Sequence, residues 1–359
     1  MRVALLTYST KPRGGVVHTL NLAEALAVSG VDVTVWSLAR QGDRGFFRAV
    51  DPRVRVKLVE FPEVGEESVT DRIVRSIALL RKAFTPQDFD IVHAQDCISA
   101  NAVGPCIRTI HHLDEFTTPV LAECHEKAVV EPYARICVSA AVAAEVTVGW
   151  GLTPTVIPNG VLAQRFIDAA SEVGGIDRWR QRLGRYVLAV GGIEPRKGTI
   201  DLVEAYHLVR RRLPDVGLVI AGGETLFDYR DYRAEFDALC DELDVEPVIL
   251  GAVEDDELPG LVAASSAFAF PSTKEGFGLA AMEALAAGRP VVTRDLPVLR
   301  EVFGGTVRYA STPTTFADAL VDVMSTERDR GPGRALASSL TWEQAAKSHV
   351  EFYRAHPMP

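Results

Sequence analysis

The chain has 359 residues, 47% hydrophobic and 24% charged, a globular composition that excludes a disordered or fibrous chain. Its formal charge of -10 argues against nucleic acid as the main partner, because duplex binding rests on a net basic surface that neutralises phosphates. Cys97, Cys106, Cys124, Cys137 and Cys240 form an odd set without C-x-x-C spacing, which reads as reduced thiols filling cores and leaves no disulfide frame or zinc site.

The opening run MRVALLTYST is strand-like, too short to cross a bilayer, and lacks the charged region and small-residue cleavage site of a signal peptide. A cytoplasmic protein is therefore expected. A helix is predicted from Val16 to Ser29, with apolar residues at three and four and Gly30 as its stop. Further strands are predicted at VDVTVWSL, FDIVHAQ, RICVS and PTVIPNG, and CIRTI is also strand-like. Between them, DRIVRSIALLRKAF sets Arg72, Arg75, Arg81 and Lys82 beside Ile73, Ile77 and Leu80 at helical spacing. This is either a plain amphipathic surface helix or a membrane-surface helix, which would put the protein at the inner face of the membrane.

The second half restarts the pattern with YVLAVGG, GLVIAGG, PVILGAV, AFAFPS, PVVTRD and TVRYA, separated by helices such as Ile200 to Leu213 and Gly278 to Ala287. Alternating strands and helices predict an α/β fold with one doubly wound parallel sheet per half. The boundary is placed between Pro158 and Gly175, where SEVGG forms no evident core element. TERDRGPG reads as an exposed turn and TWEQAAKSHVEFYRA as a helix. The expected domains are 1–165 and 166–341, with a helix at about 342–356 packing back on the first.

Each half opens with an apolar strand, a glycine turn and a helix: ALLTYSTKPRGG and VLAVGGIEPRKG. Glycines admit a close backbone approach, and the N–H groups at a helix start attract anions. The two turns would face one another across a cleft. Neither matches G-x-G-x-x-G or a Walker A sequence, so each also reads as an ordinary strand-to-helix turn. Arg196 and Lys197 oppose the dipole of the helix they precede, which makes little electrostatic sense unless an anion visits. The sharpest motif is Glu275-Gly-Phe-Gly-Leu-Ala-Ala-Met-Glu283 after AFAFPS. Glu283 falls in the second turn of an otherwise apolar helix, where a carboxylate needs a partner.

With these residues in place the chain resembles the family-four retaining glycosyltransferases, whose signature is two glutamates eight positions apart. The resemblance also takes in GGVVHTLNLAEALAVSGVDVTV, DIVHAQD, VSAAVA, VIPNGV, GGIEPRKG, EGFGLAAMEALAAGRPVV and Thr341-Trp342-Glu343. It implies a GT-B fold, two Rossmann-like domains facing a cleft, and transfer of a sugar, a hexose by expectation, from a nucleotide-diphosphate sugar to an acceptor hydroxyl. The acceptor would be a glycan, a glycolipid or a small metabolite. The mechanism implied is a metal-independent front-face reaction, without a cofactor.

By the same resemblance Glu283 holds the ribose hydroxyls. Glu275 sits by the donor sugar with the backbone of Gly276, Phe277 and Gly278. Arg196 and Lys197 grip the diphosphate with the backbone of Gly14 and Gly15. His111 lies by the reacting sugar, which makes Glu275, His111 and Lys197 the catalytic candidates, and His18, His93 and His112 are the acceptor-side candidates. The family's usual arginine after the first glycine of the second turn is Gly192 here, and Arg196 takes its place. A metal reading of His111, His112, Asp114, Glu115, His125 and Glu126 lacks H-E-x-x-H spacing. Asp88-Phe89-Asp90 has the D-x-D form of metal-dependent transferases but precedes an apolar strand. The competing classes are an NAD(P)-dependent oxidoreductase, which would need G-x-G-x-x-G in the first turn, and a non-catalytic sugar-nucleotide binder.

Overall fold

A computed structural model describes residues 1–40, 42–116, 118–223, 229–327 and 329–359. Contacts divide the chain into two compact units, Met1–Gly160 with Leu340–Pro359, and Val161–Ser339.

The first unit carries β1 (Arg2–Leu6), β2 (Asp32–Arg40), β3 (Arg55–Phe61), β4 (Ile91–Ala94), β5 (Ile107–Ile110), β6 (Ala134–Cys137) and β7 (Thr155–Val156). They form one parallel sheet in the order β3-β2-β1-β4-β5-β6-β7. In the centre Leu5 lies level with Val35 on one side and His93 on the other. β4 and β5 are buried along their whole length, as strands covered on both faces must be. β3 was not among the expected strands. Arg55, Lys57 and Glu60 interrupt its apolar residues, because it is the sheet's edge and has solvent on one side.

The second unit carries β8 (Arg185–Val190), β9 (Val216–Ala221), β10 (Val248–Gly251), β11 (Ala267–Phe270), β12 (Val291–Arg294) and β13 (Arg308–Ala310), in the order β10-β9-β8-β11-β12-β13. Both sheets thus reverse their winding at one place, between β1 and β4 and between β8 and β11. In open α/β sheets that reversal opens a crevice at the carboxyl ends of the strands.

Two stretches depart from expectation here. The SEVGG stretch, itself outside the core, gives way to an element the sequence did not announce: the helix Val173–Leu183 starts within it and buries Trp179. TERDRGPG is not all turn: the helix Gly331–Ser339 starts at its GPG, where Gly333 is covered by the Leu285 side chain. Arg328 of that segment lies outside the described residues. The expected basic helix is Val69–Ala83, but its apolar face is occupied, with Ile73, Ile77 and Leu80 buried inside the unit. Among the described residues no helix is long and apolar enough to cross a membrane. All five cysteines are free, and Cys106, Cys137 and Cys240 are buried.

The C-terminal helix Trp342–Ala355 belongs to the first unit and packs on the opening helix Gly14–Val28. Thr341 caps it by accepting the Gln344 N–H at 3.1 Å. Trp342 lies on Gly160, where a Cβ would come within 2.6 Å of the Trp342 Cγ and still closer to its backbone. Gly160→Ala is therefore expected to destabilise the protein by about 1–3 kcal/mol. Gly149 is an exposed helical glycine with nothing within 4 Å of its Cβ position, so Gly149→Ala is expected to stabilise by up to about 1 kcal/mol. Thermal melts of the two variants should move in opposite directions, and melts that move together would refute the Trp342 contact.

Candidate active site

In the C-terminal unit the reversal between β8 and β11 brings two loops together. β8 leads through Gly191 and Gly192 into a single 3-10 turn, Pro195–Lys197, then Gly198 at φ +62° and the helix Thr199–Arg210. β11 leads through Pro271 to Glu275 and the helix Leu279–Ala286, whose cap Gly278 stands at φ +93°. The two loops are tied by their backbones, since the Thr273 N–H donates to the Arg196 carbonyl at 2.8 Å. Gly198 rests against the Pro271 carbonyl, which leaves no room there for a side chain.

The ion cluster follows from that packing. Lys197 Nζ donates to Glu275 Oε1 at 2.6 Å, and Arg196 Nη1 reaches the same oxygen at 3.2 Å. Arg196 Nη2 meets Glu194 Oε1 at 3.2 Å. The two cations that seemed to require a visiting anion therefore have internal ones in Glu275 and Glu194. Burial lowers the Lys197 pKa, and Glu275 opposes the shift. Its ammonium also lies 5.5 Å from the centre of the Phe270 ring.

Glu283 sits apart from this cluster on the helix Leu279–Ala286. Burial pushes its pKa up to about 8, against the pull of Arg165. Arg165 is itself committed to Asp255 at 2.9 Å, and among the described residues no cation lies within ion-pair distance of Glu283. A half-covered carboxyl without a cation is poised to meet hydroxyl groups. Arg165 and Asp255 had no sequence signal, because they stand far from the motif along the chain.

In the N-terminal unit Gly14 and Gly15 open the helix Gly14–Val28, whose cap residue Arg13 makes no side-chain capping bond. A Cβ at Gly15 would lie 3.6 Å from His111 Cδ2, so the glycine turn and His111 are brought together. The His111 ring stands 4.7 Å from that of His18, edge to face. His18 is fixed in turn by Asn159 Oδ1 at 2.9 Å from its Nδ1. Asn159 is not among the predicted site residues, and its place in the segment VIPNGV is the available signal. His349, from the C-terminal helix, completes the group at 6.2 Å from His18 and 5.8 Å from His93.

The histidine candidates separate. His93 is fully buried, with Nδ1 on the Tyr353 hydroxyl at 2.8 Å and Nε2 on Thr109 Oγ1 at 2.7 Å, so it is a satisfied core residue and not an acceptor-side group. His18 is 1% exposed and fills the core under His111, which corrects its placement on an acceptor surface. His112 turns to Asp114 at 3.3 Å. Burial lowers the pKa of His18, His93 and His111 well below the ordinary imidazole value, and that of His349 to about 4.

Among the described residues no group of three or more His, Cys, Asp or Glu side chains is placed to hold a metal ion. Asp90 of the D-x-D sequence accepts from the Arg2 side chain at 2.7 Å and from its N–H at 2.8 Å. Arg75 of the basic helix pairs with Glu67, and Arg81 donates to the Asn101 carbonyl at 2.6 Å.

Residues 12–165 match the family model Glycosyltransferase Family 4, and residues 178–330 match Glycosyl transferases group 1. The chain is 27% identical to a D-inositol 3-phosphate glycosyltransferase of Pseudarthrobacter chlorophenolicus, over 99% of this chain and 95% of that one. It is 28% identical to a phosphatidyl-myo-inositol mannosyltransferase of Mycolicibacterium smegmatis, over 94% and 88%. The fold is similar to that of Anabaena Alr3699/HepE, solved with UDP and glucose, at a TM-score of 0.75 and 19% identity over 99% of both chains. It is also similar to the sucrose-phosphate synthase of Thermosynechococcus elongatus, at 0.78 and 18% over 99% and 98%. The two family models take up the two halves of the chain in order, and the protein is an enzyme that belongs to the family-four, group 1 glycosyltransferases of GT-B fold.

Proposed function

We propose that this glycosyltransferase moves a hexose from a nucleotide-diphosphate sugar to an acceptor hydroxyl with retention at the anomeric carbon. The observation that carries the reading is the Lys197–Glu275–Arg196 cluster at the winding reversal of the C-terminal unit. A diphosphate presents several anionic oxygens to Arg196 and Lys197, and it competes with Glu275 for both cations. Once released from Lys197, Glu275 is free to meet the hydroxyls of the donor sugar, together with the backbone of Gly276, Phe277 and Gly278. Glu283 takes the two ribose hydroxyls. That UDP-glucose was bound in a solved structure of Alr3699/HepE supports a nucleotide sugar as donor.

In this reading the sugar–oxygen bond to the diphosphate breaks as the acceptor oxygen arrives on the same face. The departing phosphate oxygen takes the acceptor's proton. Arg196 and Lys197 neutralise the charge that develops on the leaving group, so the chain needs no metal ion for that task. Gly14, Gly15 and His111 are the contribution of the N-terminal unit, with His111 as a neutral hydrogen-bonding group by the sugar. Matches to glycosyltransferase families in both halves leave the oxidoreductase class without support. A non-catalytic binder would hold nucleotide sugars without transferring or hydrolysing them.

The test is a thermal-shift screen of UDP-, GDP- and ADP-sugars, followed by turnover of the sugar that stabilises, with and without EDTA. One sugar is expected to stabilise and to turn over equally in EDTA, and loss of turnover in EDTA would refute the metal-independent reading. Lys197→Ala and Glu275→Ala are each expected to abolish turnover in a protein that keeps its circular dichroism. Full activity in either removes the cluster from the mechanism.

A pH dependence follows from Glu283. Its carboxyl is protonated below about 8 in the free protein, whereas ribose hydroxyls donate best to the ionised form. Donor binding must then expel a proton, so affinity should rise with pH by up to about tenfold per unit until the free carboxyl ionises, and level off above. Calorimetry of the donor sugar in wild type and Glu283→Gln checks this, since an equal slope in the variant would exclude Glu283 as the titrating group.

A further inference from the structure

The reaction leaves one feature of the N-terminal unit unused, the arginines of the helix Val69–Ala83. Arg72 and Arg75 turn toward the sheet. The guanidinium of Arg75 lies 3.9 Å from the centre of the Phe61 ring, and that of Arg40 lies 4.1 Å from the same ring. Phe61 ends β3 and Arg40 ends β2, so two like charges share one aromatic side chain at the carboxyl edge of the sheet. Arg13, in the turn after β1, has its guanidinium 6.0 Å from the Tyr8 ring. The charges of Arg72, Arg75 and Arg13 all bear on Arg40.

Counter-charge is short at this place. Glu67 binds Arg75 through two bonds of 2.7 Å and lies 3.9 Å from Arg72. Arg40 donates Nη2 to Ser76 Oγ at 2.8 Å, but its Nε is covered without a hydrogen-bond partner. Among the described residues no carboxylate lies within ion-pair distance of Arg40. Burial first, and then the neighbouring arginines, push its pKa down to about 10 although Tyr8 opposes them. Like charges packed together cost free energy unless an anion joins them, and such strained charge marks binding sites. Tyr8 and Arg13 follow β1 and Arg40 ends β2, so the group stands at the carboxyl edge of the sheet, beginning at β1, which borders the winding reversal, and reaching to β3.

We propose that Arg13, Arg40, Arg72 and Arg75 form a second anion site, which receives a phosphate group carried by the acceptor. The proposal rests on the reading above, in which the donor's diphosphate is already held by Arg196 and Lys197. The acceptor class is then a phosphorylated polyol or sugar, either free or as the headgroup of a lipid. The Arg75 guanidinium is held in place by Glu67 and by the Pro62 carbonyl at 2.9 Å, so it adds charge beside Phe61, while Arg40 and Arg72 supply the N–H groups that suit the paired oxygens of a phosphate.

The test uses the full chain saturated with the nucleoside diphosphate of the sugar that stabilises in the screen above (UDP, GDP or ADP), so that the cations of the C-terminal unit are occupied, and titrates glycerol 1-phosphate by calorimetry against glycerol. Glycerol 1-phosphate is expected to saturate a site that glycerol does not, with affinity falling at least about tenfold in Arg40→Gln and in Arg72→Gln. The second arm measures co-sedimentation with phosphatidylcholine vesicles, with and without phosphatidic acid. Sedimentation that needs phosphatidic acid and is lost in Arg40→Gln assigns the phosphate to a lipid headgroup. Saturation by glycerol 1-phosphate without sedimentation assigns it to a free acceptor. No response in either arm overturns the proposal, as does a response unchanged in both variants. A wrong nucleotide-sugar reading shows itself separately, as no thermal shift with UDP, GDP or ADP while the Arg40-dependent isotherm persists.

Discussion

A contact between two glycines governs the C-terminal unit. A Cβ at Gly222 would strike the carbonyl of Gly191, and a Cβ at Gly191 would lie 3.1 Å from Lys197 Cδ. Side chains at either position would hold the ends of β8 and β9 apart or block the Lys197 stem. Without them the stem runs along bare backbone and delivers its ammonium to Glu275, which hangs from the neighbouring strand β11. Gly191 accepts the required backbone at φ +147°, a region that L side chains rarely adopt. The half-buried cation is thus a consequence of backbone packing. Its energetic safety comes from the carboxylate it meets, since an unpaired buried ammonium would cost several kcal/mol.

The cluster balances two cations, Arg196 and Lys197, against two carboxylates, Glu194 and Glu275. That balance changes how an arriving diphosphate acts in the proposed reaction. Lys197 is already largely withdrawn from water, so the ligand has little left to desolvate and mainly displaces one anion with another. The displaced anion is Glu275, the group assigned to the donor sugar. Binding the diphosphate and arming the sugar-side carboxylate therefore become one exchange.

How much of this was legible in the sequence depends on the range of the interactions. Both parallel sheets could be read because strands buried on two faces are apolar throughout, as in AFAF and IVHA. β3 escaped because an edge strand carries charges. The helix Gly331–Ser339 escaped because its Gly-Pro-Gly start advertises a turn, while the contact that holds it, Gly333 on Leu285, is nonlocal. The same divide runs through the site. Lys197 stood out as a charge against a dipole and Glu283 as a charge within an apolar helix, and Glu275 by its place eight positions before Glu283. That Glu275 answers Lys197 from 78 positions away did not, and neither did Tyr353 closing His93 across 260.

The N-terminal unit solves the opposite electrostatic problem. His18, His93, His111 and His349 lie together, and among the described residues none of them is hydrogen-bonded to a carboxylate. A proton added to any of the rings would have to sit in a covered place beside other imidazoles, which is why burial drives their pKa values down. With Asn159 Oδ1 accepting from His18 Nδ1, that ring carries its proton on Nδ1 and remains neutral. His111 is accordingly suited to hydrogen bonding and unsuited to acting as a charged acid. In the proposed reaction, which passes through an oxocarbenium-like centre, a neutral His111 is the favourable arrangement, because an imidazolium by the developing positive charge would raise the barrier. In that proposed reaction the task of receiving the acceptor's proton then falls to the departing phosphate oxygen, whose charge Arg196 and Lys197 neutralise.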